Sequence, residues 1–181
     1  MTTKKIALIV GSLRQGSFSR KIANELIRIA PTGLELGIVE IGDLPHYNED
    51  LESADPPKPW TDFRQSLGSS DGVIFITPEY NRTIPGALKN AIDVGSRPYG
   101  HSIWQGKPGA VVSSSPGATG GFGANHNVRQ AVVFLGVPMM QNEAYIGQVH
   151  TLFDDAGQFV ESTAAFLGKF LADFEVWVNR F

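Results

Sequence analysis

The sequence predicts an α/β fold, built as a doubly wound, five-stranded parallel sheet with helices on both faces. Short, continuous apolar runs such as Ile6–Val10 are typical of strands that are buried on both faces of a parallel sheet. Strand and helix patterns alternate five times along the chain. Right-handed crossovers turn that alternation into one sheet covered on both sides. The chain has 181 residues, of which 42% are hydrophobic, so we expect one domain over residues 1–181.

The first half of the chain opens with a predicted strand, Lys5–Val10. A helix follows, because apolar residues recur at i, i+4 and i+7 over Ile22–Ile29. Ser19 is the predicted N-cap of this helix, and Pro31 closes it. The other elements predicted in this half are the strand Leu34–Ile41, the proline-rich and acidic loop Gly42–Pro59, the helix Trp60–Leu67, the strand Gly72–Thr77 and the helix Ala87–Val94.

The second half predicts two strands and two helices. In chain order these are the strand Ala110–Ser113, which runs into the glycine-rich segment Pro116–Gly123, the helix Asn127–Leu135 and the weak strand Met139–Ile146. The chain closes with a helix whose aromatic stripe we expect to lie in the core, because a 3.6-residue period explains it. The stripe consists of Phe166, Phe170, Phe174, Trp177 and Phe181, widened by Leu167, Leu171 and Val178.

Composition excludes several functional classes. The absence of cysteine excludes disulfides, thiolate zinc sites and cysteine-bound iron–sulfur clusters. A formal net charge of -3 with scattered basic residues argues against nucleic-acid binding. The 4 histidines lack the spacing of metal ligands, so we expect no metal site. The longest apolar run, Ile6–Val10, is far below the ~20 residues that cross a bilayer. We therefore expect a soluble cytoplasmic protein without membrane contact.

The first candidate ligand loop follows the first strand. In an open parallel sheet, ligands bind beyond the carboxyl ends of the strands where the winding direction reverses. The loop opens a helix and carries four candidate side chains: Ser12, Arg14, Ser17 and Ser19. Their hydroxyl and guanidinium groups, with the helix-opening amides, suit a phosphate. The alternative is a serine-rich turn that only caps the helix. Leu13 breaks the dinucleotide fingerprint, and Ser17 replaces the lysine of a Walker loop.

Two further loops are expected at the same edge of the sheet. Residues 77–86 contain two prolines that hold the backbone extended, and Tyr80 offers a planar ring a stacking face beside Asn81. Residues 117–123 contain four glycines, so their backbone can approach a flat ligand and donate N–H bonds to its edge. A flexible surface loop is the alternative interpretation of this segment. The convergence of three such loops at one edge favours a ligand site.

These residues resemble the NADPH-dependent FMN reductase family of flavodoxin-like proteins, and more closely its bacterial quinone and chromate reductase branch. The resemblance covers most of the chain. It is carried by Gly11-Ser-Leu-Arg14 with Ser17 and Ser19, by Leu44-Pro-His-Tyr-Asn-Glu-Asp-Leu51, by Pro78-Glu-Tyr-Asn81 with Ile84–Asp93, and by Ser115-Pro-Gly117 with Gly120-Gly121. Two positions depart from the family pattern, since His46 replaces an apolar residue and Val94 stands where many relatives have tryptophan.

The resemblance implies roles for individual residues toward FMN. The FMN phosphate would be held by Ser12, Arg14, Ser17 and Ser19. The isoalloxazine would be lined by Pro78, Glu79, Tyr80 and Asn81. Its pyrimidine edge would meet Ser115, Gly117 and Gly120. No side chain is expected to be catalytic, because the flavin N5 carries the hydride.

The resemblance also implies an activity and an assembly. We expect an FMN-dependent oxidoreductase that takes a hydride from NADPH or NADH and reduces quinones or other small acceptors, with chromate among the candidates. One open flavin face would impose a ping-pong order. The resemblance suggests homodimers or homotetramers. From the residues alone, Arg129 with Glu143 either forms an ion pair between subunits or faces water.

Two alternatives to a reductase stay open from the residues alone. A non-catalytic flavodoxin-type electron carrier would bind FMN and dock a protein partner. The modest charge of -3 and the small-residue loop argue against it. A Rossmann dehydrogenase is disfavoured by Leu13 and by the lack of an acidic residue ~20 positions after the glycine turn.

Overall fold

The computed structural model describes residues 2–181 and contains five strands and six α-helices. The strands are β1 (Lys4–Val10), β2 (Leu34–Val39), β3 (Gly72–Pro78), β4 (Gly109–Ser114) and β5 (Ala144–Ile146). The helices are α1 (Phe18–Arg28), α2 (Glu49–Ala54), α3 (Lys58–Gly68), α4 (Gly86–Gly95), α5 (Phe122–Phe134) and α6 (Glu161–Val178). A single 3₁₀ turn, Val149–Thr151, follows β5.

The five strands form one sheet in the order β2-β1-β3-β4-β5, and all neighbouring pairs are parallel. From β1 the chain first winds outward to β2 and then crosses back to β3 on the other side of β1. The winding direction therefore reverses between β1 and β3, which places the ligand-binding crevice of such a sheet beyond their carboxyl ends. The predicted doubly wound, five-stranded parallel sheet is confirmed.

Helices cover both faces of the sheet, as the alternation of side chains along β1 shows. Leu8 and its same-face neighbours pack with α1 and α6 in one hydrophobic core. Ala7 and Ile9 face the opposite core, which α3, α4 and α5 complete around the fully buried Trp60 and Trp104. Because every strand residue of β3 from Gly72 to Thr77 is buried, the sheet positions its carboxyl edge rigidly.

Two predictions in the first half were wrong in detail. Ser17, not Ser19, is the N-cap of α1, because the backbone is still extended at Ser17 and its Oγ accepts the Arg20 amide at 3.3 Å. The segment 42–59 is not all loop, since it contains α2. Asn48 caps that helix by accepting the Asp50 amide at 3.0 Å, and acidic residues in its first turn complement the helix dipole.

Several boundaries also differ in the strands and helices that follow. β2 ends at Val39 and β5 has three residues, so both strands are shorter than predicted. α5 begins at Phe122 because Gly121 adopts a left-handed backbone, φ 78°, and starts the helix within the glycine-rich segment. The α6 stripe is only partly core: Phe170 and Phe174 are buried, but Phe166 and Phe181 are exposed. None of the helices in residues 2–181 combines the length and apolarity needed to cross a bilayer.

Candidate functional site at the carboxyl edge of the sheet

The loops after β1, β3 and β4 meet at one place. The Gly11 amide donates to the Ile76 carbonyl at 2.8 Å, and a Cβ at Gly11 would lie 3.3 Å from Cδ of Pro78. The Glu79 side chain in turn reaches the first turn of α5, which the β4 loop precedes. The structure therefore brings together the three loops that the sequence pointed to, at the reversal between β1 and β3.

The first loop, residues 11–18, leads into the amino terminus of α1. Ser12 is half-buried and Arg14 is exposed, with its guanidinium 3.4 Å from the Gly16 carbonyl. Ser17 is buried as the helix cap. The Arg20 amide of the first helical turn donates to the Ser17 cap, whereas the Phe18 and Ser19 amides have no carbonyl within the helix to bond and are available to an anion.

Ser19, which follows this loop in the first turn of α1, has a buried hydroxyl that the fold leaves unsatisfied. Its side chain is 1% exposed, and its Oγ finds no hydrogen-bond partner among residues 2–181. A buried hydroxyl without a partner costs about 1–3 kcal/mol, and such groups are rare unless a ligand or water completes them. The start of α1 is therefore a candidate site for a ligand that accepts hydrogen bonds.

The β3–α4 connection is a tight hairpin, Tyr80–Thr83. Tyr80 and Thr83 exchange backbone hydrogen bonds at 2.9 and 3.0 Å. Asn81 and Arg82 between them both have positive φ values, 51° and 63°, as a type I′ turn requires. The Thr83 hydroxyl also bonds Asn127 of α5. This turn leaves the Tyr80 side chain 69% exposed, so its ring can cover a planar ligand.

Glu79 is used differently from its neighbours. Its Oε2 accepts the amides of Gly123 at 2.8 Å and Ala124 at 3.3 Å, and its Oε1 lies 3.2 Å from Arg82. The carboxylate therefore caps α5, which has no side-chain cap of its own. Glu79 was predicted to line the isoalloxazine, and the structure leaves its backbone, not its side chain, free for such a contact.

The glycine loop, Ser115–Gly121, is held by many close contacts. Ser115 Oγ donates to the Gly117 carbonyl at 3.0 Å, and Gly117 accepts the Gln148 amide at 3.1 Å. Gly120 is buried with φ 59°, and a Cβ there would lie 2.8 Å from the Ile146 nitrogen. Gly120 is thus required for close packing on β5, while Ser115 and Gly117 form the rim.

Beneath the glycine loop runs a buried polar chain that the sequence did not indicate. The Ser113 hydroxyl donates to the Gly120 carbonyl at 2.8 Å and accepts the Asn125 amide group at 3.1 Å. Asn125 Oδ1 accepts Arg129 Nε at 3.0 Å. The chain joins β4 to two turns of α5 and fixes the glycine loop from below. Its only signal was the i, i+4 spacing of Asn125 and Arg129.

Arg129 is bonded within its own chain. Its guanidinium is mostly buried, donates to the Met140 and Asn142 carbonyls at 2.9 and 3.0 Å, and lies 3.6 Å from Glu143. The ion pair with Glu143 lies within one chain, so the expectation that Arg129 merely faces water was wrong; Glu143 itself is exposed, and a contact with another subunit stays a prediction. Burial lowers the pKa of Arg129, and burial together with the 2.5 Å bond to Glu143 raises the pKa of Tyr145 to about 12.

The residues present fit FMN better than a metal ion. Within residues 2–181 no group of three metal-ligating side chains is assembled. The start of α1 supplies amides, the unpartnered Ser19 hydroxyl and the Arg14 cation for a terminal phosphate. The hairpin and the rim of the glycine loop supply an exposed aromatic face and backbone groups for a flat ring system.

Comparison with known proteins identifies the family of this chain. A model of the NADPH-dependent FMN reductase family matches residues 4–151. A quinone reductase from Pseudomonas putida is 59% identical over 175 residues, which cover 96% of this chain and 94% of the relative. A 2-hydroxy-1,4-benzoquinone reductase from Burkholderia sp is 42% identical over 177 residues, covering 97% and 96%.

A solved structure shows the same similarity in three dimensions. FerB, a flavoenzyme NAD(P)H:(acceptor) oxidoreductase from Paracoccus denitrificans, superposes with a TM-score of 0.92 at 41% identity, covering 98% of both chains. The family model spans most of the chain, and the relatives match it nearly end to end. The chain therefore belongs to the NADPH-dependent FMN reductase family, which makes FMN its cofactor and a reduced nicotinamide dinucleotide its electron donor.

Proposed function

We propose that this protein is an FMN-dependent NAD(P)H oxidoreductase whose acceptors are quinones. The observation that carries the proposal is the pairing, at one sheet edge, of a helix start with an unpartnered buried hydroxyl and a hairpin that exposes Tyr80. The first suits the phosphate of a mononucleotide and the second suits flat reactants. Quinone reductases are also the named activity of two relatives that match the whole chain.

The proposed cofactor contacts follow the geometry of the three loops. Ser12, Arg14, Ser17 and Ser19 hold the phosphate. Pro78, Glu79, Tyr80 and Asn81 line the ring system, Glu79 through its backbone. Ser115, Gly117 and Gly120 border the pyrimidine edge, where Ser115 and Gly117 are accessible and Gly120 shapes the loop.

When bound, FMN supplies two-electron chemistry by accepting a hydride at N5 and passing it to the acceptor. The residues of the chain itself orient the cofactor and shield one side of its ring system. The first loop anchors the phosphate end, and the hairpin and glycine loop wall one side of the ring system. Because one face is open to flat reactants, the nicotinamide and the quinone would have to stack there in turn, in a ping-pong order.

The proposed order is tested by initial rates. NAD(P)H oxidation measured at several fixed quinone concentrations should give parallel double-reciprocal lines, and excess quinone should compete with the nicotinamide. Intersecting lines together with a ternary complex would show separate pockets and overturn the shared face. Chromate belongs to the same proposal as an alternative acceptor, and its reduction should follow the same pattern in the same assay.

The cofactor assignment has its own test. Protein purified from cells should show a flavin spectrum, and the released cofactor should have the mass of FMN. A colourless protein that gains no NAD(P)H:quinone activity with added FMN, or one that releases FAD, contradicts the proposal. A flavodoxin-type carrier would hold FMN without steady-state NAD(P)H oxidation, so the same assay separates the two functions.

We also propose a homodimer or homotetramer of single-domain subunits in the cytoplasm. A groove of about 710 Å³ lies between α4 and α5, beside the Tyr80–Thr83 hairpin, and its walls are mainly apolar. Phe134 at its rim is 88% exposed, which is unusual for so large an apolar side chain. A second copy covering this face would also approach the ring site. Sedimentation of the wild type and Phe134→Asp checks the assembly, and cell fractionation checks the location.

A further inference from the structure

The segment after β5 crosses the amino-terminal part of α1. Residues 148–160, called the strap here, lead from β5 to α6. The Phe153 ring stacks on the Phe18 ring of α1 with centroids 6.2 Å apart and planes inclined by 20°. The family match ends at residue 151, so Phe18 lies within the part of the chain that the family model describes and Phe153 lies outside it.

The stack is held from both sides. Lys21 places its ammonium 5.7 Å from the Phe18 centroid and 5.6 Å from the Phe153 centroid. On the strap side, Phe159 packs against Phe153 at 5.3 Å and is itself buried in the core. A cation over two stacked rings, one of them backed by a core residue, fixes the position of Phe18.

A buried carboxylate fastens the strap about two turns further along α1. Glu25 accepts the Phe159 amide at 2.7 Å and pairs with Arg28 at 2.7 and 2.8 Å. The hydrogen bonds from Arg28 and, after them, from the Phe159 amide lower the pKa of Glu25 despite its burial. The strap is therefore attached to α1 at Phe18 and at Glu25.

Phe18 lies between two residues assigned to the phosphate. Ser17 precedes it as the helix cap, and Ser19 follows it with the unpartnered buried hydroxyl. Any motion of the Phe18 backbone moves both. We propose that Phe153 is a positioning residue for the phosphate end of FMN, acting through Phe18 on Ser17 and Ser19. The inference rests on the proposed function, since it assumes that the phosphate binds at the start of α1.

The inference separates the phosphate from the ring of the cofactor. Riboflavin has the same ring system as FMN but no phosphate, so a contact that acts on the phosphate site alone changes only FMN affinity. Loss of one aromatic pair should weaken FMN binding about two- to tenfold. A purely structural role for Phe153 would instead lower the melting temperature and weaken both ligands alike.

The experiment titrates the flavin-free full-length protein with FMN and with riboflavin, following the quenching of flavin fluorescence. Phe153→Ala should weaken FMN two- to tenfold and leave riboflavin unchanged, and Phe153→Tyr, which keeps a ring, should restore wild-type affinity. Phe181→Ala is the matched control, because Phe181 is an exposed ring that packs on Trp177 far along the chain. Phe18→Leu should reproduce the selective loss and serves if Phe153→Ala fails to fold.

The outcomes separate this inference from the proposed function. If Arg14→Ala leaves the FMN-to-riboflavin affinity ratio unchanged, the phosphate does not bind at α1 and the proposed site fails. If Arg14→Ala lowers that ratio but Phe153→Ala and Phe18→Leu do not, the site stands and the positioning role is overturned. Equal weakening of both flavins by the Phe153 and Phe18 variants also overturns it.

Discussion

The start of α1 and the region beneath the glycine loop both bury polar side chains, but these polar groups are used in opposite ways. Beneath the glycine loop, Ser113, Asn125 and Arg129 bond one another in a buried chain. At the start of α1, Ser19 is about as deeply buried as Ser113, but its Oγ bonds nothing among residues 2–181. The comparison teaches that residue type alone does not mark a ligand site. What marks it is a buried polar group that the fold leaves unsatisfied.

The largest effect is expected on stability, from breaking the buried polar chain of Ser113, Asn125 and Arg129. Asn125→Leu removes the partner of Ser113 and leaves the buried Arg129 guanidinium with one hydrogen bond fewer. The free energy of unfolding should fall by about 2–4 kcal/mol in urea denaturation of the flavin-free protein. Gln130→Leu, at an exposed position of the same helix, is the control and should change little. Equal stability of the two variants would mean that the polar chain is not stabilising.

The next effect is on FMN binding at the start of α1, where the Ser19 hydroxyl is unsatisfied. Arg14→Ala should weaken FMN binding by about 1.5–3 kcal/mol, the usual value of hydrogen bonds to a charged group. Because Arg14 is exposed, the flavin-free protein should keep its stability within about 0.5 kcal/mol. Fluorescence titration and denaturation of the same preparation measure both quantities. Unchanged FMN affinity would reduce the first loop to a helix cap.

Ser19→Ala tests the unsatisfied hydroxyl directly, because it should act in opposite directions on the two states. Without ligand, removal of a buried hydroxyl that lacks a partner should raise the free energy of unfolding by about 1 kcal/mol. FMN affinity should fall, by less than in Arg14→Ala. Ser17→Ala provides the contrast, since losing the helix cap should destabilise the flavin-free protein by about 1 kcal/mol. A destabilised Ser19→Ala protein would refute the comparison.

The smallest effect is a pH dependence of the stability that Glu25 provides where the strap is attached to α1. The pKa of Glu25 is lowered in the folded protein, so its stabilisation is complete above its ordinary value of 4.5 and is lost as the pH falls through the lower folded value. Glu25→Gln should cost about 1 kcal/mol or less at neutral pH, and the difference from wild type should shrink below about pH 4. Glu35→Gln on β2 is the exposed control. A difference that grows on acidification would reverse the sign and exclude this role.

Much of the fold was predictable because its signals are local. The apolar runs of β1 and β3 and the period of α1 each specify an element within a few residues. The errors arose where a local signal competes with its surroundings. Ser17 and Ser19 are equally good caps by residue type, and only the backbone at Ser17 decides between them. In α6 the aromatic period is real, but it does not show which of the rings the rest of the fold covers.

The candidate site was predictable in its loops and less so in its side chains. The three loops converge because a doubly wound parallel sheet brings the carboxyl ends of its strands to one edge, and the alternation of strand and helix patterns predicts such a sheet. The use of Glu79 does not follow, because its partner Gly123 is 44 residues away. Nor does the strap, whose contact between Phe159 and Glu25 joins residues 134 positions apart. Such contacts depend on how layers pack and leave no mark in either segment.

The two edge strands of the sheet affect how readily copies of the protein pair with one another. An open strand edge is a template for pairing with other chains and for aggregation. At one edge β5 offers only three residues. At the other, β2 offers six, but Glu35 projects from it into solvent, and Glu40 just beyond its end is held by Arg20 at 2.6 Å. A short edge and a negatively charged edge both resist strand exchange, so ordered assembly is left to the helical faces.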